Sequence, residues 1–379
     1  MGIPISKATK PTSLMSKQDY IRNDENAPAN ANNAAKDKKM LIIDVKAQVH
    51  ISADIDRQLQ KEKSEDSSRV KILLLGGADA GKSTIVKQMR ILHMNGFDAE
   101  EMRNFQKVLR SNLFQIFHEM ALGVQECILT IDDSEKCVRA FIEQHPNYSS
   151  LPDNAHYYLP KLSALLLPGY EPTAEDILHL RVPTTSVSEI NFTFEKSTIR
   201  LIDVGGQRTY RKKWIHCFDG VAAVLFVASM AAYDQTLEGV DSSVIKPVHH
   251  NDLLSAEPDT ELNSENRMRD SAHLLAEMLR SKFLVSAAFI LFLNKRDLFL
   301  KKLPLRPLRE YLPKYKGSSD KEAEEFVKAF FLKKKSKKDV GRAIYPHFTC
   351  ATDTHNVEFV FAAACAIALK ENLNSSGIE

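Results

Sequence analysis

Apolar and polar positions come in blocks along this chain, and the block lengths predict its elements. Val70-Lys71-Ile72-Leu73-Leu74-Leu75 is a short, nearly continuous apolar run that ends at Gly76-Gly77. Such a run, closed by glycines, predicts a buried strand feeding a turn. Residues 82–93 follow with Ile85, Met89 and Leu92 at helical spacing. From residue 97 to 180 the pattern changes: Phe105, Leu109, Leu113, Phe114 and Phe117 keep a helical period, and no strand-like run occurs before about residue 187. Strand-like runs return at 190–194, 199–204, 221–228, 288–293 and 344–348, with helical stretches between the later ones. A closing helix over about 356–372 places Val357, Val360, Phe361, Ala364 and Ala368 on one face. Buried strands alternating with helices predict an α/β fold with a mostly parallel sheet, interrupted by an all-helical insertion.

Composition narrows the class. At 379 residues the chain is long for one compact domain. Hydrophobic residues at 44% and charged residues at 26% exclude wholesale disorder. A formal net charge of +2 gives no electrostatic footprint for nucleic acid, so no nucleic-acid partner is expected. No apolar run reaches membrane-spanning length. Five scattered cysteines without a CxxC pair argue against a disulfide scaffold or a zinc site and fit a reducing compartment. The expected organisation is a flexible extension over 1–50, with an Asn/Ala-rich linker at 23–35, and a solvated helix over 51–68. An α/β domain follows, built from 69–96 and 181–379, with a shortened helical lid over 97–180. His249-His250 and the lysine run at 333–338 read as solvated loops. Met1-Gly2-Ile3-Pro4-Ile5-Ser6 matches the pattern for myristoylation of Gly2, and residues 1–18 carry Lys7, Lys10 and Lys17 without an acid.

Two motifs carry chemistry. Gly76-Gly77-Ala78-Asp79-Ala80-Gly81-Lys82-Ser83 fits G-x-x-x-x-G-K-[ST] between a strand and a helix, where backbone N–H groups and the helix N-terminus can hold phosphates. Lys82 reaches the β- and γ-phosphates in this reading, and Ser83 ligates Mg²⁺. The octamer leaves adenine and guanine equally open. Asn294-Lys295-Arg296-Asp297, after the strand at 288–293, points to guanine. The Asp297 carboxylate can accept from N1–H and the exocyclic amine together, a donor pair adenine lacks. Thr349-Cys350-Ala351 follows the next strand and would set the Ala351 amide against guanine O6. Asp203-Val204-Gly205-Gly206-Gln207 ends another strand, where Asp203 can hold the magnesium shell through water and the glycines can meet the γ-phosphate.

These segments, with LLLGGADAGKSTIVKQMRILH, DILHLRVPTTS, DVGGQRTYRKKWIHCF, FILFLNKRDLF and FTCATDT, run in one order from about residue 55 onward. The chain resembles the alpha subunits of heterotrimeric G proteins. The resemblance implies a Ras-like P-loop GTPase domain with an inserted helical lid, GTP/GDP and Mg²⁺ as cofactors, and GTP hydrolysis as a timer. By the same resemblance Gln207 orients the attacking water, Arg181 stabilises transition-state charge and Thr184 is a second hydroxyl ligand for Mg²⁺. The nucleotide contacts extend to Thr84, Asp153 and the segment Leu178-His179-Leu180-Arg181-Val182-Pro183. Implied partners are a beta–gamma dimer on residues 208–218, with Lys213 and an exposed Trp214 as contacts, a seven-helix receptor at the C-terminal helix and the lysine run, and a downstream effector. The implied location is the cytoplasmic face of the plasma membrane, held by a lipid on Gly2. A nucleotide-holding scaffold with very weak hydrolysis is the alternative reading.

The chain also departs from the family. Ala78, Asp79 and Ala80 stand where Gly, Glu and Ser are usual, and Ser186 where Gly follows the two threonines. There are 31 residues between Asp234 and Asn266, a long insert, while 142–150 replaces several lid helices. Ile3 follows Gly2 where a cysteine is frequent. Slower hydrolysis is therefore expected, from the Ala78 methyl near the γ-phosphate and from an Asp79 too short to support Arg181 fully. A looser lid is expected as well.

Overall fold

The structure, a computed structural model, describes residues 52–58, 60, 69–127, 152–237, 266–335 and 342–376, with only the backbone of 122–127 and 371–376. The chain forms two units, Met1–Glu65 and Asp66–Glu379. In the first, residues 52–58 are helical, with Arg57 and Asp54 paired at 3.1 Å on an exposed face. Gly2, residues 23–35, His249-His250, most of the long insert and lysines 337–338 lie outside the described residues.

The second unit is built on a sheet of six strands in the order β2-β3-β1-β4-β5-β6. These are β1 (Val70–Leu75), β2 (Ser188–Phe194), β3 (Ser197–Asp203), β4 (Ala223–Ser229), β5 (Ala288–Asn294) and β6 (Ile344–Phe348). Every pairing is parallel except β2 with β3. The apolar runs of β4 and β5 are buried throughout because helices cover both sheet faces. The strand expected at 190–194 begins two residues earlier. As an antiparallel edge it buries only Phe192, so its flanking polar residues carried no apolar signal.

Helices α1 (Lys82–His93) and α7 (Thr354–Ser376) cover one face. Their Ile85, Met89, Val357, Phe361 and Ala364 share a core with Ile72, Leu74 and Ile290. Helices α4 (Arg267–Arg280), α5 (Arg296–Lys302) and α6 (Asp320–Leu332) cover the other. Between α1 and β2 the described chain is helical: α2 (Ala99–Cys127), short turns at Ala155–Tyr158 and Leu162–Leu165, and α3 (Ala174–His179). This insertion has a small core of its own, with Leu109, Leu113 and Ile116 against Tyr158, Leu165 and Ile177.

Strand β1 lies between β3 and β4, so the chain leaves it toward both sides of the sheet. A crevice opens at the carboxyl ends of the strands at such a switch point. The turns after β1, β3, β5 and β6 therefore share one edge, which gathers the motifs.

Candidate functional site

The site is a cleft of about 880 Å³ between that sheet edge and the helical insertion, within the range of small-molecule sites. The loop after β1 turns sharply. Gly81 has φ +103°, and a Cβ there would sit 2.2 Å from Asn294 Nδ2. Only glycine allows this approach. Asn294 fixes the two loops together: its Nδ2 donates to Ala80 O at 2.8 Å, and its Oδ1 accepts from Ala351 N at 2.9 Å and Thr349 Oγ1 at 3.2 Å. The Ala351 amide expected at guanine O6 is thus held by Asn294 in this structure. Lys82 opens α1, is buried, and donates to Gly76 O and Gly77 O at 3.0 and 2.8 Å. Burial pulls its ammonium down to about 8, against the opposing pull of Asp203 and Asp79.

Three oxygens converge at the foot of α1. Ser83 Oγ lies 2.6 Å from Thr184 Oγ1 and donates to Asp203 Oδ2 at 2.5 Å. The other Asp203 oxygen is buried without a hydrogen-bond partner. Two hydroxyls and a carboxylate with spare acceptor capacity are hard oxygen donors that fit Mg²⁺. When bound there, the ion would neutralise charge on the terminal phosphates. Burial raises the Asp203 carboxyl above its ordinary value, opposed by Lys82 and Ser83.

At the base end, Asp297, Lys295 and Ala351 line the cleft. Lys295 stands in the left-handed region at φ +59° and pairs with Asp153 across the cleft at 2.5 Å. Burial pushes the Asp153 carboxyl up, but Lys295 and Lys302 hold it well below the usual carboxylate range. Arg296 turns outward to Glu324 and does not line the cleft.

The loop after β1, the converging oxygens of Ser83, Thr184 and Asp203, and the segment Asn294–Asp297 thus stand along one edge in the expected order. The family model described as "G-protein alpha subunit" matches residues 49–137 and 124–368, most of the chain.

The chain belongs to the G-protein alpha subunits.

Members of this family are GTP-binding signalling switches and generally bind Mg²⁺. In this alpha subunit Thr84, Leu178, His179, Leu180 and Val182 join Lys82 and Ser83 in the cleft wall. Gly76, Gly77, Ala78, Ala80, Pro183, Val204, Gly205, Gly206 and Gln207 do not line it. Gly206 nevertheless touches the phosphate loop: a Cβ there would sit 2.4 Å from both Gly77 O and Lys82 Nζ.

Two expectations are corrected. Asp79, one methylene shorter than the usual glutamate, still makes a two-point bridge to Arg181, at 3.0 and 2.7 Å. Asp79 itself stands in the left-handed region at φ +54°. Trp214 is not an exposed anchor. It is 2% exposed, and its Nε1 donates to Gly205 O at 2.9 Å. The 3₁₀ segment Arg208–Cys217 turns the indole under the sheet while Lys213 stays in solvent.

Several cleft residues escaped the sequence reading. Arg267 donates to Asp79 Oδ2 and to Ala78 O, both at 3.0 Å. Gln235 donates to Asp153 Oδ1 at 3.1 Å. Lys87 caps the end of α3 through Ile177 O and Leu180 O at 2.9 and 2.8 Å. Only the apolar period of α1 bore on Lys87, and it marks the side chain merely as off the core face.

Proposed function

We propose that this alpha subunit is a Mg²⁺-dependent GTP-hydrolysing switch that couples seven-helix receptors to a downstream effector. The convergence of Ser83, Thr184 and Asp203 beside Lys82, on the same edge as Asp297, carries the reading. Arg181 and Gln207 are the catalytic pair, Arg181 as the cation for transition-state charge and Gln207 as the orienter of water. Single-turnover hydrolysis of GTP by the purified chain tests it. Expected is turnover that depends on Mg²⁺ and is abolished in Gln207→Leu. Tight GTP binding without turnover would instead favour the nucleotide-holding scaffold.

Turnover is slower than in other alpha subunits because the Ala78 methyl crowds the γ-phosphate side, and acceleration by a regulator is weaker because Ser186 adds bulk where glycine is usual. A misplacement of about 1 Å costs on the order of 10²-fold. Ala78→Gly should raise the intrinsic rate, and Ser186→Gly should raise acceleration by a regulator. An unchanged rate in both would remove this account.

The beta–gamma dimer docks on residues 208–218, through exposed Lys213 and Ile215 rather than Trp214. The receptor engages α7 and the lysines from 333 onward. The chain is held at the cytoplasmic face of the plasma membrane by one myristoyl chain on Gly2. One such chain binds membranes only marginally, with K about 10⁴ M⁻¹, so stable attachment needs the beta–gamma partner or Lys7, Lys10 and Lys17. Salt-resistant membrane association of the chain alone would contradict this.

A further inference from the structure

The stretch from Leu180 to Ser186 has no regular secondary structure, so its main-chain groups must find partners elsewhere. Arg181 finds both in one side chain. Its N–H donates to Asn112 Oδ1 at 2.8 Å, and its C=O accepts from Asn112 Nδ2 at 3.0 Å. Asn112 lies on α2 in the helical insertion and is buried. Asn154, also buried, braces it: Asn154 Nδ2 donates to Asn112 Oδ1 at 2.8 Å and to His179 O at 3.1 Å.

The orientation of Asn112 is fixed by this pattern. Its oxygen receives two N–H donors and its nitrogen faces a carbonyl. A flipped amide would set donor against donor and acceptor against acceptor. The main chain of Arg181 is therefore held by the insertion, independently of its guanidinium. The guanidinium is bridged to Asp79 on the phosphate loop. Lys87 holds the preceding carbonyls, of Ile177 and Leu180, but not Arg181 itself.

We infer that Asn112, braced by Asn154, is a positioning residue for Arg181, through which the helical insertion sets the catalytic arginine over the phosphates. This rests on the hydrolytic reading above. Asn112 does not line the cleft. Its side chain holds the Arg181 main chain, on which the reach of the guanidinium depends, and meets Asn154. Misplacement by about 1 Å can cost on the order of 10²-fold in rate.

The test is single-turnover GTP hydrolysis beside GDP affinity, for the full chain and for Asn112→Ala, alone and combined with Arg181→Ala. Asn112→Ala should lower the rate at least tenfold and leave GDP affinity within about threefold. In the Arg181→Ala background the same change should cost less than twofold, because the group it positions is gone. Asn112→Asp keeps the acceptor for the Arg181 N–H and loses the donor, so its rate should fall between the two. Should Asn112→Ala fail to fold, Asn154→Ala removes the brace together with its bond to His179 O and should give a smaller loss, again confined to the Arg181 background. An equal fold-loss in both backgrounds, or an unchanged rate in an active chain, would overturn this inference alone. A chain that binds GTP and never hydrolyses it would overturn the functional reading first.

Discussion

Arg181 and Asp79 meet in a two-point salt bridge, with Nε on Oδ1 and Nη2 on Oδ2, and Arg267 closes on the same carboxylate from α4. One acid on the phosphate loop thus ties together the segment before β2 and the segment after the long insert. A ligand that draws Arg181 away would also alter the hold on Arg267, because both share the Asp79 carboxylate.

The carboxylate contributes stability with a defined pH window. Burial pushes the Asp79 carboxyl up, but Arg267, Arg181 and Lys295 pull it down to about 2 from an ordinary 3.8. A folded value below the unfolded one means the stabilisation is complete above about pH 4 and is lost as pH falls toward 2. About a quarter of the side chain is exposed, which trims the effect to about 1–2 kcal/mol. Asp79→Asn should lower the unfolding free energy read from urea titration by that amount at pH 5 to 7. The gap should close between pH 4 and 2; a gap constant to pH 2 would contradict the assignment.

Asp297 lines the cleft, and base choice is expected to depend on it. Asp297→Asn should lose guanine nucleotides and gain xanthine nucleotides, because an amide donates to the xanthine C2 oxygen where a carboxylate only accepts. Competition binding with GDP, XDP and ADP measures it. Comparable affinity of the unsubstituted chain for ADP and GDP would contradict this role for Asp297.

Gly206 has no room for a side chain. Gly206→Ala should push the loop after β3 away from Gly77 and Lys82 and uncouple it from the phosphates. Trp214, the chain's one tryptophan, reports on that loop through its bond to Gly205 O. Its emission should change when GTP and Mg²⁺ replace GDP in the unsubstituted chain. In Gly206→Ala the change should be absent while nucleotide remains bound.

GDP release should depend on the Asp153–Lys295 bridge, which joins the helical insertion to the loop after β5 across the cleft. Asp153→Ala also removes the acceptor of Gln235. Losing about 1.4 kcal/mol of closed-state stability would raise GDP release roughly tenfold. Dissociation of a fluorescent GDP analogue reads the rate, and a release as slow as in the unsubstituted chain would show that the bridge does not limit escape.

The linear sequence determined the parts whose signal is local. The apolar runs of β1, β4 and β5 announced strands because both sheet faces are covered. The octamer ending in Lys82-Ser83 and the tetrapeptide ending in Asp297 announced their places, at the turns after β1 and β5 that open helices, because their spacing is local. The tertiary structure alone decided what depends on the path of the chain. Asn112 meets Arg181 across 69 positions, Asp79 meets the same residue across 102, and Arg267 reaches Asp79 across 188. No period or motif encodes such pairs, since a polar side chain on a helix reads alike whether it faces water or a buried peptide. Trp214 shows the same limit: its basic neighbours indicated solvent, and only the 3₁₀ turn that carries it beneath the sheet placed the indole inside.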